Sequence, residues 1–419
     1  MELMLKCGTA VQCVQVPEEN LLGELLPTDP GGEEVTPEQE QEIVRRALAA
    51  PIGAPRLIDM IKPGEKVVII TSDITRPMPT ARVMPVLLDE LYTAGVDPAD
   101  ITLVFALGIH REHTEEERRK LAGDRAFREI RCIDCDRNDM VRIGTTGRGT
   151  PVDVTRVVAE ADRRICLGNI EYHYFAGYSG GGKAIMPGVS SHDAIQHNHS
   201  MMTSEYACAG EIDHNPVRLD IEEAAALCGV DYILNVVLDS HKKIVCAVAG
   251  DMVQAHRAGC RFLDELYLQP IEQRADIVLV SQGGAPKDMN LYQTQKALDN
   301  AKHAVKDGGV IVLVGSCHEG FGEDVFEEWL TQAETADSLI DRLKQEFRLG
   351  GHKAAAIAMV MRHADVYLVS NMESDLVRSI FMTPFDSVQQ AFDAAMEKLG
   401  PKATVLAMPY GGSTLPRAK

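Results

Sequence analysis

The sequence has 419 residues, of which 45% are hydrophobic and 25% are charged, a globular composition long enough for two domains with sizeable cores. Its formal net charge of -20 disfavours nucleic acid and anionic membrane as partners, so an anionic ligand must be drawn in by a local basic pocket. The start of the chain shows no secretory leader, long apolar runs are absent, and the ten cysteines form no disulfide framework, which predicts a cytoplasmic protein.

Short, nearly continuous apolar runs bounded by turn residues recur along the chain, with helical patterns between them. These runs cover residues 66–70, 101–107, 165–167, 233–238, 277–280, 310–314, 366–369 and 404–408. Strands that are buried on both faces lose the alternation of apolar and polar residues, so this rhythm indicates parallel strands covered by helices. The sequence therefore predicts an α/β protein with two domains, each a mostly parallel sheet flanked by helices.

Helix ends and breaks place the domain boundary. Thr114 and Glu117 have the spacing of a capping box, and a second amphipathic helix is expected to run from Asp251 toward Tyr267. Pro270 then interrupts the pattern before the next apolar run. We therefore expect a first domain at 1–269, a second at 270–400, and a C-terminal strand or tail at 401–419 that packs back on either domain.

Polar and ionisable residues follow several of these apolar runs. Because ligands bind beyond the carboxyl ends of the strands in open parallel sheets, these residues are candidates for a site. They are Asp73, Arg76, His110 and His173 in the first domain, and Tyr292, Gln293 and Lys296 in the second. Two polar sheet edges predict a small-molecule active site in an interdomain cleft.

The segment from His173 to Lys183 joins a glycine run to a lysine. Gly180, Gly181 and Gly182 are expected to form an anion-binding nest, and residues 177–183 match a P-loop up to its last position. That position holds Ala184 rather than the hydroxyl that would bind Mg²⁺, and Pro187 prevents a long helix behind the lysine. The sequence thus favours phosphate binding and excludes ATP or GTP hydrolysis.

Five of the thirteen histidines lie between residues 173 and 214, which indicates a metal site, acid/base chemistry, or both. One alternative is a zinc-type hydrolase that uses His192, His197 and His199. Its spacing is unfavourable, because His197 and His199 would point to opposite sides of a strand. A second alternative is a non-catalytic phosphometabolite-binding protein that uses the glycine loop alone.

Three motifs together resemble the nickel-dependent lactate racemase family. They are Asp-Ile-Thr-Arg-Pro at 73–77, Gly-Ile-His-Arg at 108–111, and the long segment His-Tyr-Phe-Ala-Gly-Tyr-Ser-Gly-Gly-Gly-Lys-Ala-Ile-Met-Pro-Gly at 173–188. They occur in the order of that family over most of the chain. The resemblance implies an isomerase that racemises or epimerises a 2-hydroxy acid.

The resemblance also implies a cofactor, the nickel-pincer nucleotide, which is a pyridinium-3-thioamide-5-thiocarboxylic acid mononucleotide that carries Ni. Its thioamide would be formed with the amine of Lys183, and His199 would ligate the nickel. The glycine run and Ser179 would hold the nucleotide. Maturation would then require the enzymes of cofactor biosynthesis as partners.

By the same resemblance, His110 and His173 are the two acid/base groups of a reaction that removes hydride and returns it through a 2-oxo acid. Arg76 and Tyr292 would bind the substrate, Lys296 both substrate and cofactor, and Asp73 and Gln293 the cofactor. The segment 347–355 does not align with the side-chain pocket of lactate-specific members, where an aromatic wall is expected. Lactate is therefore one candidate beside malate, other hydroxy acids and sugar acids.

Overall fold

The computed structural model describes residues 1–27, 35–239 and 241–418, and the chain divides into two compact units. One unit is Asp29–Leu266, and the other joins Met1–Thr28 to Tyr267–Lys419. The expected first domain of residues 1–269 thus differs at its start, because the first strands belong to the other unit. Its expected end lies close to the observed division.

The N-terminal segment contributes three strands, β1 (Glu2–Cys7), β2 (Ala10–Gln15) and β3 (Leu21–Glu24). β1 and β2 pair as an antiparallel hairpin whose buried residues, including Leu3 and Val14, join the same core as Val312 and Phe392. Burial of each such side chain stabilises the fold by roughly 1.5–3 kcal/mol, so this core retains the segment in the unit of the C-terminal half.

The unit Asp29–Leu266 alternates strands with helices. Its helices are α1 (Pro37–Ala49), α2 (Leu57–Met60), α3 (Thr80–Thr93), α4 (Glu115–Ala122), α5 (Asp124–Glu129), α6 (Arg156–Ala159), α7 (His192–Ser200), α8 (Pro216–Cys228) and α9 (Gln254–Tyr267). Its strands are β4 (Val67–Ser72), β5 (Ile101–Ala106), β6 (Arg131–Asp134), β7 (Met140–Thr145), β8 (Pro151–Thr155), β9 (Arg163–Asn169), β10 (Tyr172–His173), β11 (Gly177–Tyr178), β12 (Tyr232–Leu238) and β13 (Ile244–Gly250).

Six of these strands form one sheet in the order β13-β12-β9-β4-β5-β6, and only β13 runs antiparallel to its neighbour. The chain moves outward from β4 to β5 and β6 and then returns to place β9 on the other side of β4. The strand order therefore reverses between β4 and β9, which is where open α/β sheets bind ligands. Ile69, Leu103 and Ile165 of the sheet share a core with Leu87 and Leu91 of α3.

The rest of the other unit has the same plan. Its strands are β14 (Leu268–Ile271), β15 (Ala275–Ser281), β16 (Val305–Val314), β17 (Ala364–Val369), β18 (Thr383–Phe385), β19 (Val405–Met408) and β20 (Leu415–Ala418). Its helices are α10 (Leu291–Ala301), α11 (Asp324–Gln332), α12 (Ala336–Gln345), α13 (Gly351–Met361), α14 (Ser374–Ser379) and α15 (Val388–Leu399).

The main sheet of this unit has the order β18-β17-β16-β15-β19-β3, with parallel pairing throughout. The C-terminal tail lies in this unit, because β19 joins the sheet and β20 pairs with β14. Each expected apolar run forms a strand, so the predicted α/β class with two parallel sheets is confirmed.

Helix signals in the sequence are also confirmed. The hydroxyl of Thr114 accepts the N–H of Glu117, and the Glu117 carboxylate accepts the N–H of Thr114, which is the reciprocal cap of α4. The helix expected toward Tyr267 is α9. Within the described ranges, we find no helix that is both long and apolar enough to span a membrane.

Candidate active site

The candidate site of the unit Asp29–Leu266 lies where the strand order reverses. The loop after β4 carries Asp73 and Arg76, the loop after β5 carries His110, and the segment after β9 carries His173 and Lys183. Parallel strands deliver their carboxyl ends to one edge of a sheet, which explains how residues distant in sequence approach one another. The sequence predicted all five of these residues.

His110 is held by a buried carboxylate. Its Nδ1–H donates to Oδ2 of Asp73 at 2.6 Å, and the hydroxyl of Thr75 donates to the same carboxylate at 2.8 Å. Burial alone would raise the pKa of Asp73, but the hydrogen bonds and charge of His110 hold it below its usual value. Asp73 therefore accepts as a carboxylate and fixes the orientation of the His110 ring.

His113 supports the loop that carries Asp73, a role that the sequence analysis missed. The N–H of Ile74 donates to Nε2 of His113 at 3.1 Å, so Nδ1 carries the ring proton and donates to Asp134 at 2.6 Å. His113 and the Asp134 side chain are almost fully buried. A fixed neutral histidine thus positions the backbone between Asp73 and Arg76. Its place three residues after His110 was the available signal.

The ring of Phe175 lies among three candidate residues, His173, His199 and Lys183. Its buried ring lies edge-on to His173, with 4.6 Å between ring centroids, and to His199 at 4.9 Å. The amine of Lys183 lies 5.8 Å from the centroid of the same ring. The structure therefore brings together the predicted catalytic histidine, the predicted metal ligand and the predicted covalent lysine around one aromatic side chain.

The environment of these groups favours their neutral forms. Burial, reinforced by the charges of Arg218 and Arg76, holds the pKa of Lys183 well below its usual value. Burial and the charges of Lys183 and Arg76 likewise hold the pKa of His173 well below its usual value. Both side chains keep some solvent-accessible surface. Burial and charge thus favour the neutral amine of Lys183, and its side chain is partly accessible to a ligand.

His173 has a defined neutral tautomer. The N–H of Ala176 donates to Nδ1 of His173 at 3.2 Å, so the neutral ring carries its proton on Nε2. His110 is the opposite case, because its Nδ1–H donates to Asp73 and its Nε2 keeps the lone pair when neutral. When both rings are neutral, Nε2 of His173 is therefore a hydrogen-bond donor and Nε2 of His110 is an acceptor.

The glycine run is explained by packing within the protein. A Cβ atom at Gly180 would lie 2.7 Å from Oδ1 of Asn235, and one at Gly182 would lie 2.9 Å from Ala225. The N–H of Gly181 donates to Asn235 at 2.7 Å, and the N–H of Lys183 donates to the carbonyl of Gly180. The N–H groups of Gly181 and Lys183 are thus bonded inside the protein, and anion binding by the glycine run stays a prediction. Gly181–Ala184 is one 3₁₀ turn rather than a P-loop helix.

Arg218 of α8 holds the backbone of this loop through hydrogen bonds. Its guanidinium is fully buried and donates to the carbonyls of Ala176, Tyr178 and Gly180. Burial lowers its pKa to about 10, and its charge acts on Lys183. No sequence signal marks this residue, because an arginine in a helix after Asn-Pro is usually exposed.

His199 lies on a helix that was not predicted from the sequence. α7 spans His192–Ser200 and is capped by Ser191, whose hydroxyl accepts the N–H of Ala194. Nε2 of His197 pairs with the carbonyl of Arg148 at 3.0 Å, whereas His199 contacts Phe175. Across the described ranges, no group of three or more His, Cys, Asp or Glu is arranged to hold a metal ion. The zinc-hydrolase alternative therefore has no support.

Tyr292, Gln293 and Lys296 lie in the first turns of α10 in the other unit, as the sequence predicted, and Asn290 caps this helix through the N–H of Gln293 at 3.1 Å. Their role in binding is a prediction that this geometry leaves open. The amine of Lys353 donates to the carbonyl of Tyr292 and lies 3.5 Å from the centroid of its ring.

The only tryptophan does not line a pocket. Trp329 is fully buried in α11, where a Cβ atom at Gly351 would lie 2.4 Å from its ring and Arg342 covers it at 4.4 Å. In the segment 347–355, Phe347 packs on His352 with 5.3 Å between ring centroids. The segment is therefore part of the packing around the start of α13.

Comparisons with known proteins agree over almost the whole chain. Residues 7–210 match the lactate racemase N-terminal domain, and residues 271–415 match the lactate racemase C-terminal domain. Lactate racemase from Thermoanaerobacterium thermosaccharolyticum is 34% identical over 422 aligned residues, which cover 98% of each chain. Lactate racemase from Lactiplantibacillus plantarum is 34% identical over 382 residues, covering 89% of this chain and 90% of that protein.

Solved structures give the same result. The lactate racemase apoprotein from T. thermosaccharolyticum superposes with a TM-score of 0.85 at 33% identity and full coverage of both chains. A protein from Thermotoga maritima superposes with a TM-score of 0.60 at 19% identity, covering 94% of this chain and 100% of that one, a likeness of fold alone.

Proposed function

This chain belongs to the lactate racemase family, and on that premise we propose that it interconverts the stereoisomers of a 2-hydroxy acid. The observation that carries the proposal is the cluster around Phe175, in which an amine whose pKa is lowered by burial and two histidines lie around one ring. Lactate is the first substrate to test, because the relatives are named for it, and longer 2-hydroxy acids follow.

His110 and His173 are the proposed acid/base groups. Nε2 of His110 takes the hydroxyl proton of one stereoisomer, while Asp73 holds the ring at Nδ1. His173 serves the other stereoisomer, and its ring must exchange the hydrogen bond from Ala176 before Nε2 can accept a proton. Arg76 is exposed and suits the substrate carboxylate, because a guanidinium binds a carboxylate through two parallel hydrogen bonds.

The residues present fit the cofactor of the family. Lys183 offers a neutral amine for covalent attachment, and His199 offers an imidazole, a ligand type that suits nickel. Both contact Phe175, so the attached group and its metal ligand belong to one place in the fold. When bound, the group would supply a hydride acceptor, so that the substrate passes through a 2-oxo acid and is reduced again on either face.

The proposal also assigns the binding of substrate and cofactor to three residues of α10, which are Tyr292, Gln293 and Lys296. Their carboxyl-end position after β15 agrees with the rule for ligand sites in parallel sheets. The glycine residues 180–182 and Ser179 are proposed to hold the nucleotide, and the glycines also allow the loop that carries Lys183 to pack closely. Enzymes of cofactor biosynthesis are the proposed maturation partners.

Intact mass tests the attachment. We expect protein matured together with the cofactor-forming enzymes to carry a nucleotide-sized covalent adduct and nickel, and Lys183→Ala to carry neither. Lys398→Ala, which changes a surface lysine that pairs with Asp365, is the control and should keep both. Matured wild-type protein without added mass would overturn the proposed cofactor.

Substitution of the two histidines tests the chemistry. His110→Gln and His173→Gln should each lower kcat for racemisation by about 10²–10⁴-fold while the adduct remains, because general acid–base catalysis contributes that much. His241→Gln, in an exposed turn, is the control. Wild-type rates in either variant would exclude the two-base mechanism.

Solvent deuterium distinguishes hydride transfer from proton abstraction. A hydride that leaves the substrate carbon and returns to it does not exchange with water, whereas a proton taken by a histidine exchanges. In D₂O we therefore expect racemised product without deuterium at C2, measured by mass spectrometry. Complete deuteration at C2 would exclude the hydride mechanism and leave the two histidines as carbon bases.

A further inference from the structure

A fully buried carboxylate lies behind His199. Asp220 of α8 is completely inaccessible and accepts three hydrogen bonds. The hydroxyls of Thr146 and Thr150 donate to its two oxygens at 2.5 and 2.7 Å, and Nδ2 of Asn198 donates at 2.8 Å. A buried carboxylate is costly unless it is fully hydrogen-bonded, so this cluster is a specific arrangement.

These contacts fix the orientation of the Asn198 amide. Its Nδ2 faces two acceptors, the Asp220 carboxylate and the carbonyl of Val217 at 3.2 Å. The reverse orientation would place the amide oxygen against both acceptors and leave its N–H groups pointing away from them. Since Asn198 is itself fully buried, no water replaces these partners.

The orientation of Asn198 in turn determines which nitrogen of His199 carries the proton. Oδ1 of Asn198 lies 2.9 Å from Nδ1 of His199, and an amide oxygen only accepts hydrogen bonds. Nδ1 must therefore be protonated, and in the neutral ring Nε2 has the lone pair. This is the tautomer that a metal needs, since ligating histidines commonly donate their other N–H to a carboxylate or carbonyl.

We propose that Asp220 and Asn198 are positioning residues that hold His199 as its Nδ1–H tautomer, with Nε2 as the metal-binding nitrogen. The part of this inference that concerns nickel rests on the proposed function, whereas the tautomer follows from the contacts alone. The segment 146–150 between β7 and β8 contributes to this positioning, because the hydroxyls of Thr146 and Thr150 donate to the Asp220 carboxylate.

The first test measures the tautomer in wild-type apoprotein and uses a variant only to assign the signal. With ¹⁵N-labelled histidine, the chemical shifts of the two ring nitrogens report the tautomer, and His199→Gln identifies the signal of His199 among the thirteen histidines. We expect the Nδ1–H form at neutral pH. A predominant Nε2–H form in folded wild-type protein would overturn the proposal.

The second test removes the charge of Asp220. In Asp220→Asn the new amide can donate to Asn198, which can then turn and present its N–H groups to His199. We expect the tautomer ratio of His199 to shift by roughly two- to tenfold toward Nε2–H, the range for one hydrogen bond. An unchanged tautomer ratio would contradict the proposed effect of Asp220 on His199 through Asn198.

Glu223→Gln is the matched control. Glu223 lies on the same helix and also binds the same segment, since it accepts the N–H of Gly147 at 2.6 Å. The variant therefore makes the same chemical change and loosens the same segment without touching the chain from Asp220 to His199. An equal tautomer shift in this control would reduce Asp220 to general support of the segment and overturn its positioning role.

The third measurement uses matured protein. Asp220→Asn should keep the adduct on Lys183 but bind nickel roughly 10- to 100-fold more weakly in competition with a chelator, the usual effect of losing an outer partner of a ligating histidine. Wild-type nickel affinity in this variant would remove the metal-positioning role. Matured wild-type protein without nickel would instead contradict the proposed function, and the tautomer result in apoprotein would stand apart from it.

Discussion

Lys183 combines partial burial with neighbouring positive charge, and its reactivity follows from both. An ammonium group is poorly stabilised where water is limited, and the guanidinium groups of Arg218 and Arg76 repel it further. The charge of Glu171 opposes this shift, but burial and the two guanidinium groups outweigh it. The protein thus keeps a primary amine in the form that attacks an electrophilic carbon.

This gives a first prediction, for the apoprotein. In competitive labelling with a trace of acetic anhydride, we expect Lys183 to titrate well below the ordinary lysine value near 10.4, and Arg76→Gln to raise its midpoint because one repelling charge is lost. Peptide mass spectrometry measures the labelling. Arg111→Gln, whose guanidinium pairs with Glu117 at 2.6 Å, should leave the Lys183 curve unchanged. A midpoint in the range of exposed lysines would contradict the prediction.

The residues that the sequence revealed and those it did not differ in how they act. His110, His173 and Lys183 end apolar runs or follow glycines, so their positions in the sequence already mark an edge of the sheet. Phe175 and Arg218 act by contact with rings and with backbone carbonyls, which leave no periodic signal. Residues of this second kind become visible only when the loops are folded against the helices.

At the scale of elements, the loop at 176–183 depends on side chains from two helices. Arg218 of α8 donates to three of its carbonyls, and His256 of α9 donates to the carbonyl of Ser179 at 2.7 Å. Burial keeps the pKa of His256 well below its usual value, so its ring is neutral. The backbone of this loop is therefore held by side chains of α8 and α9 as well as by β11 and its 3₁₀ turn.

A second prediction concerns the hydrogen bonds from Arg218 to this loop. Arg218→Lys keeps a positive charge but cannot reach three carbonyls, because an ammonium lacks the planar fork of a guanidinium. We expect amide hydrogen exchange in peptides covering 176–183 to become about 10- to 100-fold faster, equivalent to roughly 1.5–3 kcal/mol of lost hydrogen bonding. Arg261→Lys, an exposed position on α9, should leave exchange as in the wild type. Unchanged protection in Arg218→Lys would show that the packing of the glycines alone holds the loop.

Elements were predictable where their signal is local. Continuous apolar runs identified the central strands, and the spacing of Thr114 and Glu117 identified the start of α4. No element was predicted for α7, because its histidine-rich sequence has no clear helical period, although Ser191 caps its start. β3 was not recognised as part of the C-terminal unit, since its partner β19 lies at the opposite end of the chain.

At the scale of the whole molecule, the net charge is negative, whereas the arginines near Lys183 are positive. The chain carries a formal net charge of -20, yet Arg76 and Arg218 lie close enough to Lys183 for their positive charges to lower its pKa. A long-range field of this sign repels an anionic ligand, whereas the nearby guanidinium groups attract it. The net charge therefore disfavours polyanionic partners, while the attraction of a small anion depends on a few side chains.

Acid stability gives the last prediction, in the unit that contains the C-terminal half. Burial and the charge of Lys302 lower the pKa of His303 to about 3. The unfolded chain takes up a proton at this side chain near pH 6.5, so between these values the unfolded state binds more protons and stability falls as the pH falls. From pH 7 to pH 5 this side chain alone should remove about 2 kcal/mol.

His303→Gln should therefore lose about 2 kcal/mol less than the wild type between pH 7 and pH 5. Urea unfolding followed by the fluorescence of Trp329, the only tryptophan, reports on this same unit. His363→Gln, at a largely exposed ring in the same unit, is the control and should keep the wild-type loss. Equal losses in the wild type and in His303→Gln would mean that His303 becomes protonated in the folded protein without cost, and the acid sensitivity of the unit would then have to arise from other buried groups.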